Sequence, residues 1–306
     1  MTDPARIVIG CEQLGGTDWG ELDPVEVSAA ISHAFDAGLT IFDTADVYGL
    51  GESERRLAKA LGPRRHAATI ITKAGVRWEQ TGGRAKTYKD NSPGYLAAAL
   101  DASLARLRVE AIDLYFIHWP DESASIEETL EFCNGAVQSG KIKAFGFSNF
   151  ADAAVRHGAE RGMSAIQASF NLLSSAEERA SFEKWKELGL HRFGYGALAQ
   201  GLLTGKYDLA STFNGDDRRH RLPHFRAENW PRTVEALKAI ENLAADAGLS
   251  VGQSAIQAAR QSGFVDHVIV GVKNVRQVDE LVQLDSHRLN MSDLAPLYEG
   301  IGWQKA

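Results

Sequence analysis

The chain predicts a (β/α)8 TIM barrel, and three observations carry that prediction. Apolar, β-prone runs alternate with amphipathic helical ones almost from end to end, the rhythm of a parallel sheet wound with helices. Eight such runs are present, the number that closes a barrel rather than leaving an open sheet. Several of them turn polar at or just beyond their C-terminal ends, on Asp43 and Tyr48, on Lys73, on His118 and on Ser148-Asn149, as expected where parallel strands deliver functional groups to one rim. With 306 residues, 44% of them hydrophobic, the chain can bury one large core, so a single barrel domain over 1–306 is expected.

The expected strands span 7–10, 40–44, 69–72, 114–118, 144–148, 165–168, 192–196 and 268–271. Between the first two, Asp23-Pro24 reads as an N-cap with proline at the first helical position of 25–36, and Gly38 as the stop. Ser92-Pro93 repeats that device before 94–107, while Ser125 and Glu128 have the spacing of a capping box before a helix ending at Gly140. Between the seventh and eighth strands the rhythm breaks. A segment far longer than one helix begins at Gln200 and is rich in Asp, Arg, His and Pro over 216–226, which is expected to form a lid or binding loop.

A net charge of −7 argues against nucleic acid or an acidic membrane as partner, because both select a basic face, and favours a small molecule. Cys11 and Cys133 are too few and too far apart for a disulfide framework or zinc site, so no metal is expected and the compartment reads as reducing. The first six residues lack the features of a signal peptide and no run is long enough to span a bilayer, which makes the expected location cytoplasmic.

The residues at the strand ends suit proton transfer to a carbonyl oxygen. Tyr48 is a reluctant acid at neutral pH unless a neighbouring cation stabilises its phenolate. Lys73, ending the next strand, can supply that charge, and Asp43 can fix and pair with Lys73. His118 can orient the carbonyl or assist the proton. Taken singly, each has a plain structural reading: a packed tyrosine, a solvated lysine, a capping aspartate, a buried imidazole. Their register at successive strand ends selects the chemical reading.

The segments Phe42-Asp43-Thr44-Ala45-Asp46-Val47-Tyr48-Gly49, Ile71-Thr72-Lys73, Asp113 to Trp119, Gly140 to Phe150 and Leu198 to Tyr207 closely resemble the aldo-keto reductase superfamily. The resemblance implies a barrel with a nicotinamide cofactor extended across its C-terminal rim and a tetrad of Asp43, Tyr48, Lys73 and His118. It also implies that Ser148, Asn149 and Gln167 hold the nicotinamide carboxamide and that Tyr195 stacks on the ring. Further cofactor contacts are implied for Gly196, Leu198, Gln200, Gly201 and Lys206. At the adenine end they fall to Gly271, Lys273, Asn274, Arg276, Gln277 and Glu280, with Lys273 and Arg276 suited to a 2′-phosphate. NADPH is therefore the expected cofactor, with NADH the alternative. A dinucleotide fingerprint of the other common kind is excluded, since Gly49-Leu50-Gly51-Glu52-Ser53-Glu54 carries Glu in place of its third glycine.

Three positions depart from the family pattern. Leu281 stands where asparagine commonly meets adenine, Gly196 stands where serine is frequent, and little chain precedes Ile7 for the usual N-terminal hairpin. The first two imply weaker cofactor binding, the third a differently closed barrel floor. Trp19, Trp78 and Trp119 fall in the loops after the first, third and fourth strands and are the expected substrate walls. Arg77, Arg84, Lys86 and the 218–226 region could bind an anionic group such as a nucleotide-sugar diphosphate, but solvated surface charge is the expectation for most of them. The leading expectation is an NADPH-dependent reductase of aldehydes or ketones. An NAD-linked aldose dehydrogenase is implied by residues 48–56, which are similar to the sugar-dehydrogenase branch of the superfamily, and a low-turnover NADPH-binding regulatory subunit is the third reading.

Overall fold

The computed structural model describes residues 6–16, 22–80, 85–208, 211, 225–226 and 228–290. Eight parallel strands close a barrel: β1 (Arg6–Gly10), β2 (Ile41–Asp43), β3 (Thr69–Ala74), β6 (Leu114–Ile117), β7 (Phe145–Ser148), β8 (Ala165–Ser169), β9 (His191–Tyr195) and β10 (His267–Gly271). Each pairs with its sequence neighbour in the barrel, and β10 closes on β1 from Arg6↔His267 to Gly10↔Gly271. All eight expected strands are present to within a few residues.

Alternation along the strands sorts their side chains into two cores. Val8, Ile71, Phe116, Ala165, Phe193 and Ile269 fill the barrel interior, while the intervening Ile9, Phe42, Ile70, Ile117, Phe147 and Val270 pack outward against helices. Those helices are α1 (Pro24–Asp36), α2 (Glu52–Leu61), α3 (Pro93–Leu107), α4 (Ile126–Gln138), α5 (Asp152–Glu160), α6 (Ala176–Glu187), α7 (Trp230–Ala247), α8 (Val251–Gln261) and α9 (Val275–Val282). On the outer side of β3, buried Glu54 of α2 accepts from Thr72 Oγ1 at 2.6 Å and from Arg106 Nε of α3 at 2.5 Å, tying both helices to the strand that carries Lys73.

The expected caps are at their places, with two differences in chemistry. Asp23 accepts from Val25 N, and Ser125 accepts from Glu128 N without the reciprocal half of a capping box. Ser92 occupies the N-cap of α3, but its Oγ donates to Asp90 Oδ1 at 2.6 Å and accepts no helix N–H. The excursion after β9 carries a helical turn (Ala199–Thr204) and an extra helix, α7, which buries its own cluster with Leu173, Leu202 and Ala258. Most of 216–226 lies outside the described residues, as do Trp19, Arg84 and the five residues before Arg6. The hairpin of β4 (Val76–Glu79) and β5 (Lys86–Lys89) follows β3, an element the sequence reading did not anticipate.

At the floor of the barrel His267 stacks on Phe193, with ring centroids 4.2 Å apart and 9° between planes. Burial, then the charge of His191, pushes its pKa down to about 4. A group depressed on folding contributes stability above its unfolded pKa, which is lost as pH falls through the folded value. The window is therefore about pH 6.5 to 4, and the loss is at most about 3 kcal/mol. Replacing His267 with Phe is expected to flatten this fall, measured as the difference between urea stabilities at about pH 7 and pH 4.5. An equal difference in wild type and variant would assign the acid sensitivity to other groups.

Candidate active site

Most of the strand-borne polar residues of the rim lie two positions beyond an inward-facing one. Asp43 follows Ile41, Lys73 follows Ile71, His118 follows Phe116, Gln167 follows Ala165 and Tyr195 follows Phe193. Continuing the alternation by one step turns each inward at the C-terminal mouth, which is why residues from distant parts of the chain converge there. Asp43, His118, Gln167 and Tyr195 line a cavity of about 1130 Å³, and Lys73 is buried behind Asp43.

At one end the tetrad candidates meet. Lys73 is fully buried, and its Nζ donates to Asp43 Oδ1 at 2.6 Å and to Thr44 O at 2.8 Å. The same Nζ sits 5.2 Å from the centre of the Tyr48 ring. His118 meets that ring edge-on, with centroids 5.7 Å apart. Burial is the main cause holding the Tyr48 phenol well above the ordinary tyrosine range, and the Asp43 carboxylate adds to it. The resting phenol therefore keeps its proton more firmly than the sequence alone suggests. His118 is pushed well below the ordinary imidazole range, first by burial and then by the Lys73 charge, and is neutral near pH 7.

A chain of hydrogen bonds leads from this end to the middle of the cavity. Gln167 Nε2 donates to the second oxygen of Asp43 at 2.9 Å, and Ser148 Oγ donates to Gln167 Oε1 at 3.4 Å. Asn149 Nδ2 donates to Ser148 Oγ at 3.0 Å and to His118 O at 3.2 Å, while the Tyr195 hydroxyl donates to Asn149 Oδ1 at 2.8 Å. Asn149 has φ +66, a left-handed backbone that costs energy for a residue with a β-carbon and is retained here by this bonding on both sides of its amide.

Gly196, Leu198, Gln200, Gly201 and Lys206 line the cavity next, along the loop after β9. Gly271, Lys273 and Gln277 line its far end. There Asn274 caps α9 by accepting from Gln277 N at 3.0 Å, and Gln277 Oε1 accepts from Lys273 N at 2.8 Å. Asn274, Arg276 and Glu280 do not line the cavity: Arg276 is 80% exposed and lies 3.7 Å from Glu280. Leu281 is buried in the core, so it offers the cavity no polar group. Trp119 is 39% exposed at the mouth, and Trp78 lies on β4 beside the cavity without lining it.

Sequence reading missed the residues after β1. Cys11, Glu12 and Gln13 line the cavity, and they too follow a strand end, the signal by which they were findable. Their turn is pressed onto the Tyr48 turn: a β-carbon on Gly15 would lie 2.7 Å from Gly49 N. Among the described residues no group of three or more His, Cys, Asp or Glu is arranged to hold a metal, and no helix is long and apolar enough to cross a membrane.

The profile of the Aldo/keto reductase family matches residues 6–299. Aldo-keto reductase YhdN of Bacillus subtilis is 32% identical over 295 residues, covering 95% of this chain and 88% of that protein. Aldo-keto reductase yakc of Schizosaccharomyces pombe, whose name specifies NADP(+), is 30% identical over 259 residues, covering 82% and 75% of the two chains. Among solved structures, the glycerol dehydrogenase AKR11B4 from Gluconobacter oxydans superposes with a TM-score of 0.89 at 31% identity, covering 100% of this chain and 94% of that one.

Proposed function

Because this chain belongs to the aldo/keto reductase family and is an oxidoreductase of that family, we propose that it reduces an aldehyde or ketone to an alcohol with NADPH, Tyr48 donating the proton. The observation that carries the reading is the meeting of Tyr48, Lys73, Asp43 and His118 at one end of a cavity whose other end carries Lys273.

The cavity's donor set fits such a cofactor. Ser148, Asn149 and Gln167 form an amide and hydroxyl cluster that can match both ends of a carboxamide, and Lys273 beside the start of α9 suits a phosphate. At about 1130 Å³ the cavity exceeds the usual size for a single small ligand, leaving room for a carbonyl substrate alongside. When bound, the reduced nicotinamide supplies the hydride. The chain's own part is the proton. Tyr48 holds it at the phenol oxygen until a carbonyl oxygen accumulates charge, and Lys73, fixed by Asp43 and Thr44 O, stabilises the phenolate as the proton leaves. Neutral His118 orients the carbonyl without adding charge.

A second reading has one specific support. The Gluconobacter neighbour is by name a glycerol dehydrogenase, which favours the same chemistry run in the oxidative direction on a polyol or aldose. Following the consumption of NADPH and NADH with aldehydes and ketones, and of NADP and NAD with polyols and aldoses, tests both readings. Removing both cations, Lys273→Ala with Arg276→Ala, is expected to weaken NADPH by roughly tenfold or more and NADH hardly at all, read by fluorescence titration. Equal wild-type affinity for the two cofactors would favour the NAD-linked reading.

A further inference from the structure

The β4–β5 hairpin overhangs the mouth of the cavity, and its two faces differ. Directly opposed residues of an antiparallel pair share a face. Val76 opposes Lys89 and Trp78 opposes Thr87, and Val76 and Thr87 line the cavity, so Lys89, itself exposed and outside the cavity lining, shares their face of the hairpin. Arg77, Glu79, Lys86 and Tyr88 belong to the other. Arg77 is engaged there, 3.8 Å from Glu79, 3.6 Å from Asp90 and over the Tyr88 ring. The anion-binding alternative for Arg77 and Lys86 therefore gains no support from the geometry.

Lys89 is differently placed. Its Nζ lies 5.8 Å from the centre of the Trp119 ring, which in turn stacks at 6.3 Å on His118. A path thus runs from the tetrad along an aromatic face to a cation. The opposing charge near Lys89 is Asp121, whose oxygens already accept from Asn91 N, Ser123 N and Ser123 Oγ. Glu12 lines the Tyr48 end of the cavity and disfavours a negative charge beside the carbonyl itself.

We propose that Lys89 is a specificity-determining residue that receives an anionic group, carboxylate or phosphate, at the end of the substrate remote from its carbonyl, with the body of the substrate along Trp119. This rests on the carbonyl-reductase reading above. Two matched pairs of substrates test it with NADPH: 4-carboxybenzaldehyde against benzaldehyde, and glyceraldehyde 3-phosphate against glyceraldehyde. For at least one pair the wild-type kcat/KM of the anionic member is expected to exceed that of the neutral one by about fivefold, the size of an accessible ion pair. That ratio should collapse toward one at about 0.5 M salt, where charges are screened over a few ångströms. Lys89→Met is expected to lower the ratio about fivefold through KM, Lys89→Arg to keep it, and Lys89→Glu to invert it. Which pair shows the preference identifies carboxylate or phosphate as the recognised group.

An anionic-to-neutral ratio at or below one for both pairs in wild type overturns the proposal, as does a Lys89→Met ratio equal to wild type. A fall of the same size in Arg77→Met, on the outer face, also overturns it by showing a diffuse field in place of one residue. If neither neutral aldehyde is reduced, the reductase reading itself fails, an outcome distinct from reduction without charge preference.

Discussion

Tyr48→Phe is expected to lower carbonyl reduction at least about 100-fold while leaving NADPH affinity nearly unchanged. The substitution removes the hydroxyl and keeps the ring that meets His118 edge-on at 5.7 Å, so packing at this end of the cavity is retained. Steady-state kinetics and a cofactor titration on the same preparation separate the two effects. A Phe variant that reduced aldehydes at near wild-type rate would remove Tyr48 from the proton step. The direction of its pKa adds a pH signature. Because burial and Asp43 raise the phenol above its ordinary value, reduction should not lose its proton donor between about pH 6 and 9. The reverse oxidation needs the phenolate as base and should instead rise across that window. A reduction rate that fell with an apparent pKa near 7 would point to another group as the acid.

Asp43→Ala is expected to destabilise the fold by about 3–5 kcal/mol, because it leaves the fully buried Lys73 ammonium without its carboxylate. Gln167 also loses the oxygen to which its amide donates. The double replacement Asp43→Leu with Lys73→Met should recover much of that stability, since an apolar pair of similar volume carries no desolvation cost, yet remain inactive. Urea denaturation of the single and double variants measures both effects. A single-mutant cost below about 1 kcal/mol would mean that Lys73 reaches water or another partner once Asp43 is gone.

Much of this protein is written locally. Strand and helix follow from hydrophobic period and from caps such as Asp23, whose carboxylate accepts a bond within its own turn. The candidate site was readable for the same reason: in a closed barrel the polar residue ending each apolar run shares one rim with all the others, so Asp43, Lys73 and His118 could be grouped without knowing a single distance. What the chain could not disclose by itself are pairings across the barrel. Gln167 donates to Asp43 from 124 residues away, and the Tyr195 hydroxyl reaches Asn149 from the next strand but one. The period of a strand states which face a side chain takes, whereas its partner depends on how the strands are staggered when the barrel closes. The β4–β5 hairpin was missed because all four residues of β5 are exposed, so no burial imposes an apolar alternation on Lys86-Thr87-Tyr88-Lys89. Only the tertiary structure decides that Lys89 shares a hairpin face with the cavity-lining Val76 and Thr87 while Arg77 takes the other, since the side of the hairpin that meets the barrel mouth is set by packing and not by propensity.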